Sequence, residues 1–475
     1  MSSYIPVIGL EVHAELLTKS KVFCTCNAEF GGDPNSRCCP VCTGMPGTLP
    51  VINQTAVEYA VKAGFALGCD INKFSVFDRK NYFYPDLPKA YQISQLNLPL
   101  CINGVVTIEV DGKKKDIRVN RIHLEEDAGK LVHDDFNAVS LADYNRCGVP
   151  LIEIVTEPDI SSAEEAKAFV EKVSLLLQYA GVCDCKMEQG SLRADVNVSI
   201  MRPEDKEFGT RTEMKNLNSF KAIGRAIEGE RARQIELLEE GKKVIQETRR
   251  WDDNKEYSYP MRSKEDAHDY RYFPDPDLVP VIISDEWLQE VRDRQPELRT
   301  EKLERYKKEF DIPAYDADIL TGSKRLADLF EETTALCGKP KKVSNWLMGE
   351  TLRLLKEEGK EPEDLSFTPQ HLASLIELLD AGTINQTVAK EVFEKIYYED
   401  VDPQVYVEEH GLKMVNDDNL LRTVVEGVIA ANPQSVADYK GGKEKALGFL
   451  VGQTMKQMKG KANPGAVNKM LKELL

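Results

Sequence analysis

Nowhere does the 475-residue sequence hold a run of about 18 apolar residues, so it lacks a segment able to span a bilayer as a helix. Met1 to Pro6 lead straight into a strand-like segment, without the basic and apolar regions of a signal peptide or the Arg/Ser-rich helix of a transit peptide; the cytoplasm is the expected location. There is no G-x-x-x-x-G-K-[ST] stretch and no G-x-G-x-x-G between a strand and a helix, which disfavours P-loop and Rossmann nucleotide sites. Positive charge is in short supply. With 62 Lys and Arg against 79 Asp and Glu, the net charge of -17 argues against a protein that coats nucleic acid through its overall field, and any RNA contact must come from local patches. No internal repeat or low-complexity tract is evident.

What remains is a chain with 42% hydrophobic residues, long enough for two to four domains of about 100 to 200 residues each. Up to about residue 292, alternating strand-like runs mix with a few helices; beyond it helical periodicity dominates. Pro274, Pro276 and Pro280 lead into that change, and Gly359 to Pro362 and Asp402-Pro403 punctuate the helical part. We expect domains over 1–292, 293–405 and 406–475. Helices are expected from Asn53 to Gly68, from a capping box formed by Ser162 and Glu165 to Gly181, and from Phe220 to Gly241.

Eleven cysteines are present, clustered near the N-terminus as Cys24-x-Cys26 and Cys38-Cys39-Pro-Val-Cys42. Two short-spaced pairs separated by a loop suit a tetrahedral thiolate site, so Cys24, Cys26, Cys39 and Cys42 are the expected ligands of a structural Zn2+, with Cys38 spare. Buried or redox-active thiols are the alternative. Four protein ligands leave no open position for catalysis at the metal.

Alternation places Glu11, His13 and Glu15 on one face of a Val7–Leu16 strand, opposite Leu10, Val12, Ala14 and Leu16. Arg193, Asp195 and Asn197 recur likewise along Leu192 to Ile200, then Arg211, Glu213 and Lys215, and His123, Glu125 and Asp127 with Glu126 between them. A single such strand signifies only a wet face. Several strands bearing acids beside Arg or His point instead to a Mg2+ site, because clustered carboxylates repel one another unless a cation joins them. Mg2+ suggests phosphate chemistry, with nucleotide phosphates held by side chains such as Arg79, Lys80, Arg193, Arg211 and Lys215.

Phe77 to Asp86, continuing to Lys89 and Tyr91, interleaves rings with cations, a mixture suited to stacking an unpaired RNA end; Asp269 to Pro274 has a similar character, and either would also serve as a packed turn. Lys440, Lys443, Lys445, Lys456, Lys459, Lys461, Lys469 and Lys472 lie among few acids, with Gly441, Gly442 and Gly460 opening the backbone: a candidate RNA contact or a solvated helix surface.

Taken together, Val7-Ile-Gly-Leu-Glu-Val-His13, Phe77 to Asp86, His123-Leu-Glu-Glu-Asp-Ala-Gly129, Gly190-Ser-Leu-Arg193, Lys215-Asn-Leu-Asn-Ser-Phe220 and Leu447-Gly-Phe-Leu-Val-Gly-Gln453 resemble the aspartyl/glutamyl-tRNA amidotransferase B subunits, from end to end. The resemblance implies an α+β fold with a glutamine-synthetase-like antiparallel sheet cradle, then an all-α helical domain and a small helical tail that contacts tRNA. It implies an ATP-dependent ligase component that phosphorylates the side-chain carboxylate of misacylated Glu-tRNA(Gln) or Asp-tRNA(Asn) for amidation. The implied partners are the A subunit, an amidase that releases ammonia from glutamine, and the small C subunit. Carried over by motif, Glu11, His13 and Glu125 look like Mg2+ ligands or near neighbours, with Glu126, Glu188, Asp195 and Glu213 on the same concave site, and Lys80 resembles a phosphate or substrate contact. No glutaminase nucleophile arrangement is recognisable in the chain, so ammonia is expected from a partner. A non-catalytic RNA-binding adaptor and a metal-dependent hydrolase are the rival readings.

Overall fold

A computed structural model describes residues 4–134, 136–263, 270–414, 418–458 and 462–475. Asp269, Lys459, Gly460 and Lys461, singled out above, lie outside the described residues. Two compact units form, Met1–Arg299 and Thr300–Leu475.

The first unit is built on a nine-stranded mixed sheet. Its strands run in the order Tyr257–Ser263, Glu247–Asp252, Thr212–Leu217, Leu192–Met201, Ile5–Glu15, Pro150–Thr156, Lys113–Glu126, Cys101–Val110 and Asp70–Ile71. Every neighbouring pair is antiparallel except Thr212–Leu217 with Glu247–Asp252. The strand Ile5–Glu15 lies at the centre, and its alternation is the reason. Ile8, Leu10, Val12 and Ala14 are buried on one side, where the helices Ala163–Tyr179 and Phe220–Glu239 pack. Burying such side chains removes apolar surface from water at about 25 cal/mol per Å2, which fixes the strand's register. The opposite face is left for polar groups. A smaller sheet of Phe273–Pro274, Asp78–Asn81 and Tyr91–Ser94 lies beside the end of Lys113–Glu126.

Helix ends follow the local chemistry. Asn53 caps Gln54–Ala66 by accepting from the Thr55 N–H, and Ser219 caps Phe220–Glu239. At Ala163–Tyr179 only half of the expected capping box forms: Ser162 accepts from the Glu165 N–H, but Glu165 turns to the Ser161 N–H at 2.8 Å and to Lys115 at 2.7 Å. The nearby ammonium supplies a stronger partner than the cap backbone.

Beneath the sheet, Glu230 is fully buried and accepts from Thr212 Oγ1 at 2.6 Å, Gln234 Nε2 at 2.8 Å and Arg233 at 2.7 Å, with Arg249 3.7 Å away. Removing one partner of such a network leaves buried charge uncompensated. Glu230→Ala is therefore expected to destabilise the protein by about 3 kcal/mol, read as a lowered chemical-denaturation midpoint; an unchanged midpoint would contradict this.

Among the described residues the second unit is built of helices alone, from Arg299–Glu309 to Pro464–Leu474. Its last helices gather around their own core of Leu421, Val425, Val428, Leu450, Val467 and Leu471. Lys440, Lys443, Lys445, Lys456, Lys469 and Lys472 are exposed on their surface, with Lys443 paired to Asp438 at 3.0 Å.

Candidate active site

The polar face of the large sheet holds two rows of side chains, each set by strand register. In the first row His123 pairs across to Glu153, Glu153 to His13, and His13 to Arg193. In the second, two residues and about 7 Å along the strands, Glu11 stands opposite Asp195. A register shift between Ala194 and Val196, beside a positive φ of 69° at Asn216, brings Lys215 against Asp195 and 3.3 Å from Glu213.

These rows assemble two acid trios. Ligand atoms of His13, Glu125 and Glu153 lie within 4.8 Å of one another, as do those of Glu11, Asp195 and Glu213. Two unit charges 4 Å apart interact by about 4 kcal/mol at an effective dielectric near 20, so each trio needs nearby positive charge. Part of it is built in. His13 lies 3.5 Å from Glu153, and His123 lies 3.1 Å from Glu153 and 3.3 Å from Glu125. Burial opposes the charging of both imidazoles, but Glu153 and Glu125 outweigh it, raising His13 and bringing His123 up to about 9. Burial works against the Glu153 carboxylate, and the two histidines nevertheless hold it well below its ordinary value. Lys80 faces the same group. Burial would lower its pKa, yet Tyr272, Glu125 and Glu153 raise it overall, while its ammonium sits 4.8 Å from the Tyr270 ring. Lys215 behaves likewise between Asp195 and Glu213. Asn197 donates to Glu11 at 2.9 Å, and Ser94 donates to Glu125 at 3.0 Å. The two oxygen-rich sets fit a hard divalent cation such as Mg2+.

Sequence reasoning had missed Glu153. Its signal is a lone acid inside the apolar run Leu151-Ile-Glu-Ile-Val155, but only the register with His13 and His123 reveals its role. Alternation puts His123 and Asp127 on the face of Glu125, and the structure gives each a charged partner.

Two expected placements need correction, those of Glu126 and Arg79, and two more residues stand apart from the trios. Glu126 projects away from Glu125, as successive strand residues must; it pairs with Lys89 and accepts from the Ile93 N–H at 2.9 Å, bordering a separate cavity of about 200 Å3. Arg79 alternates with Lys80 and is held by Asp275 and Asp277, both at 2.8 Å, with its guanidinium 4.3 Å from the Tyr91 ring. Arg211 is exposed, one residue before the Thr212–Leu217 strand. Glu188 is exposed in the short Met187–Gln189 turn, on the wall of a cavity of about 840 Å3 that also meets Asp195 and Arg193, but outside both trios. The aromatic segment divides as well. Phe77 is buried against Phe23, whereas Phe83 and Tyr84 are exposed.

Between Glu15 and Gln54 the chain forms no helix or regular strand, only turns and an isolated bridge between Ser20 and Asn27. Cys24, Cys26, Cys39 and Cys42 converge there, their sulfurs within 4.8 Å of one another, with Cys38 outside the group. Cys39 and Cys42 sulfurs are 3.9 Å apart, close to the edge of about 3.8 Å that a tetrahedron with 2.3 Å metal–sulfur bonds requires. A hydrogen bond from Cys24 lowers Cys42 to about 4 against the effect of burial, helped by the Cys39 N–H at 3.1 Å and by Lys21, fully buried with its ammonium 3.5 Å from the Cys42 sulfur. The cluster fits a thiolate-bound metal ion.

Residues 6–289 match the family model described as the GatB/GatE catalytic domain, and residues 328–475 match one described as the GatB domain. Fold, site and match define the class: a sheet-based catalytic domain followed by a helical part. Curated relatives extend over the whole length. The aspartyl/glutamyl-tRNA(Asn/Gln) amidotransferase B subunit of Lachnoclostridium phytofermentans is 66% identical over 475 residues, 100% of this chain and 99% of the relative. Those of Agathobacter rectalis, 64% identical with full coverage of both chains, and Caldicellulosiruptor bescii, 59% identical over 99% of each, are similar to it too. The chain belongs to the family of aspartyl/glutamyl-tRNA amidotransferase B subunits. Among the described residues no helix is long and apolar enough to cross a membrane.

Proposed function

We propose that this chain activates the side-chain carboxylate of a misacylated Glu-tRNA(Gln) or Asp-tRNA(Asn) with ATP, so that ammonia converts the aminoacyl group to its amide. The observation that carries this reading is the pair of acid trios side by side on one sheet face, with Lys80 and Lys215 as the cations beside them. A carboxylate resists attack by ammonia because its leaving group would be oxide; transfer of a phosphoryl group to it supplies a better one. His13, Glu125 and Glu153 would hold one divalent cation, and Glu11, Asp195 and Glu213 another. Bound there, Mg2+ would offset phosphate charge and lower the cost of bringing one anion to another. Lys80 and Lys215 extend that neutralisation toward the nucleotide phosphates, and the burial of Glu125 and His123 strengthens the charge interactions they make. The cysteine cluster would hold Zn2+ structurally.

Ammonia is to come from the amidase, the A subunit of the assembly, braced by a small C subunit, while the exposed lysines of the last helices contact the tRNA. We read the chain as three functional parts, 1–292, 293–405 and 406–475. Purified alone, it is expected to amidate Glu-tRNA(Gln) with ammonium chloride and ATP but not with glutamine. Glutamine-dependent product from the isolated chain would overturn this division of labour, and hydrolytic turnover without ATP would favour a hydrolase.

A further inference from the structure

The polar sheet face continues past the trios into a third charged group, at which two guanidiniums converge on one buried carboxylate. Asp127 Oδ2 lies 2.7 Å from Arg193 Nη2 and 3.6 Å from Arg146 Nε. Arg146 is pinned further by donating to the carbonyls of Ala128 at 2.9 Å and Gly129 at 2.7 Å. Gly129 is itself tightly enclosed, since a Cβ there would sit 2.9 Å from the Asp143 carbonyl and 3.0 Å from that of Asp86. Neither arginine is consumed by these bonds. Each guanidinium has five N–H donors, and each side chain remains about a third exposed, 33% for Arg146 and 32% for Arg193, on the wall of the cavity of about 840 Å3.

Two forks held from different segments, one of them fixed to the backbone, suit a planar anion. Their position narrows the choice. Arg193 is cross-strand from His13 and two residues from Asp195 on the same face, so an anion held there lies beside both trios. The sequence alone groups Arg193 with nucleotide phosphates; Asp127 already offsets part of the charge of the two guanidiniums, and what is left to them matches a singly charged group better than a polyphosphate. We propose that Arg146 and Arg193 form the subsite for the side-chain carboxylate of the aminoacyl group on the tRNA, and so discriminate the acid substrate from its amide product. This rests on the function proposed above.

The test uses the assembled amidotransferase, wild type against Arg146→Lys and Arg193→Gln. It measures KM for Glu-tRNA(Gln) and for ATP, and the affinities for Glu-tRNA(Gln), Gln-tRNA(Gln) and uncharged tRNA(Gln). Both variants are expected to raise KM for Glu-tRNA(Gln) about tenfold or more and to shrink the preference for Glu-tRNA over Gln-tRNA. KM for ATP and the affinity for uncharged tRNA should stay as in wild type, the latter also reporting that the variants are folded. Unchanged KM for Glu-tRNA in both variants overturns the proposal. A raised KM for ATP alone overturns it in favour of a phosphate contact, and equal weakening toward charged and uncharged tRNA overturns it in favour of a contact with the RNA itself. Failure of the functional reading looks different: the wild-type complex would then show no ATP turnover with Glu-tRNA(Gln).

Discussion

Glu125→Gln is expected to reduce ATP hydrolysis stimulated by Glu-tRNA(Gln) at least about 100-fold, equivalent to about 2.7 kcal/mol of barrier, in the assembled enzyme. The substitution keeps size and shape. Ser94 Oγ and His123 Nε2, at 3.0 and 3.3 Å, retain an oxygen to bond, so the fold and the affinity for uncharged tRNA should persist. What disappears is one negative donor from the trio with His13 and Glu153, and with it much of the affinity for a divalent cation. Glu11→Gln provides an independent check, since Asn197 still has an amide oxygen to donate to while the second trio loses a charge. Titration with Mn2+ should show weaker binding for both variants, separating lost metal affinity from lost chemistry. Full turnover in either variant would contradict the kinase assignment. Binding of charged tRNA with no ATP turnover even in wild type would favour an adaptor.

How much of this was legible in the sequence follows from the physics of strands. Period-two alternation is a local property, so Glu11, His13, Asp195 and Glu213 were readable as facing one way, and the structure places all four on the same sheet face. Contacts made across strands are not local. Glu153 gains its role only by standing between His13 and His123, residues 140 and 30 positions away. Arg79 carried the same apparent promise as Lys80, but alternation turned it toward Asp275 and Asp277, almost 200 residues further on, whose charges claim it. Glu126 failed for the converse reason. Its composition matched the site, yet adjacency to Glu125 in an extended chain sends it to the other side, where Lys89 neutralises it. The cysteine set was readable because ligand spacing encodes its own geometry, and the four sulfurs that converge are those the spacing selected.

That cluster also sets the second large effect, which arises away from the reacting groups. Cys39→Ser, or stripping with a strong chelator, is expected to lower bound zinc from one ion per chain to none and to release the segment between Phe23 and Thr48. Few buried apolar side chains hold this stretch, and it has no hydrogen-bond ladder, so ligation would supply most of its order. Arg37 lies inside it and offers trypsin a site. Its cleavage rate should rise at least about tenfold, which requires the local opening free energy to fall by about 1.4 kcal/mol. The disturbance should travel toward the cavity by identifiable bonds. The Arg37 N–H donates to Asn145 at 2.8 Å, Asn35 donates to the Ala142 carbonyl and to Asp143, both at 3.0 Å, and the Tyr144 N–H donates back to Asn35 at 2.8 Å. These contacts lead into Arg146, so the freed loop is expected to raise KM for Glu-tRNA(Gln) several-fold while leaving the melting of the helical unit unaltered. Cys38→Ser, outside the group of four, serves as the control and should change neither zinc content nor cleavage. Zinc-free wild-type protein with a protease-resistant loop would show that the thiols are held by packing alone; one equivalent of zinc, lost together with resistance at Arg37, would establish the metal as the element that orders the loop.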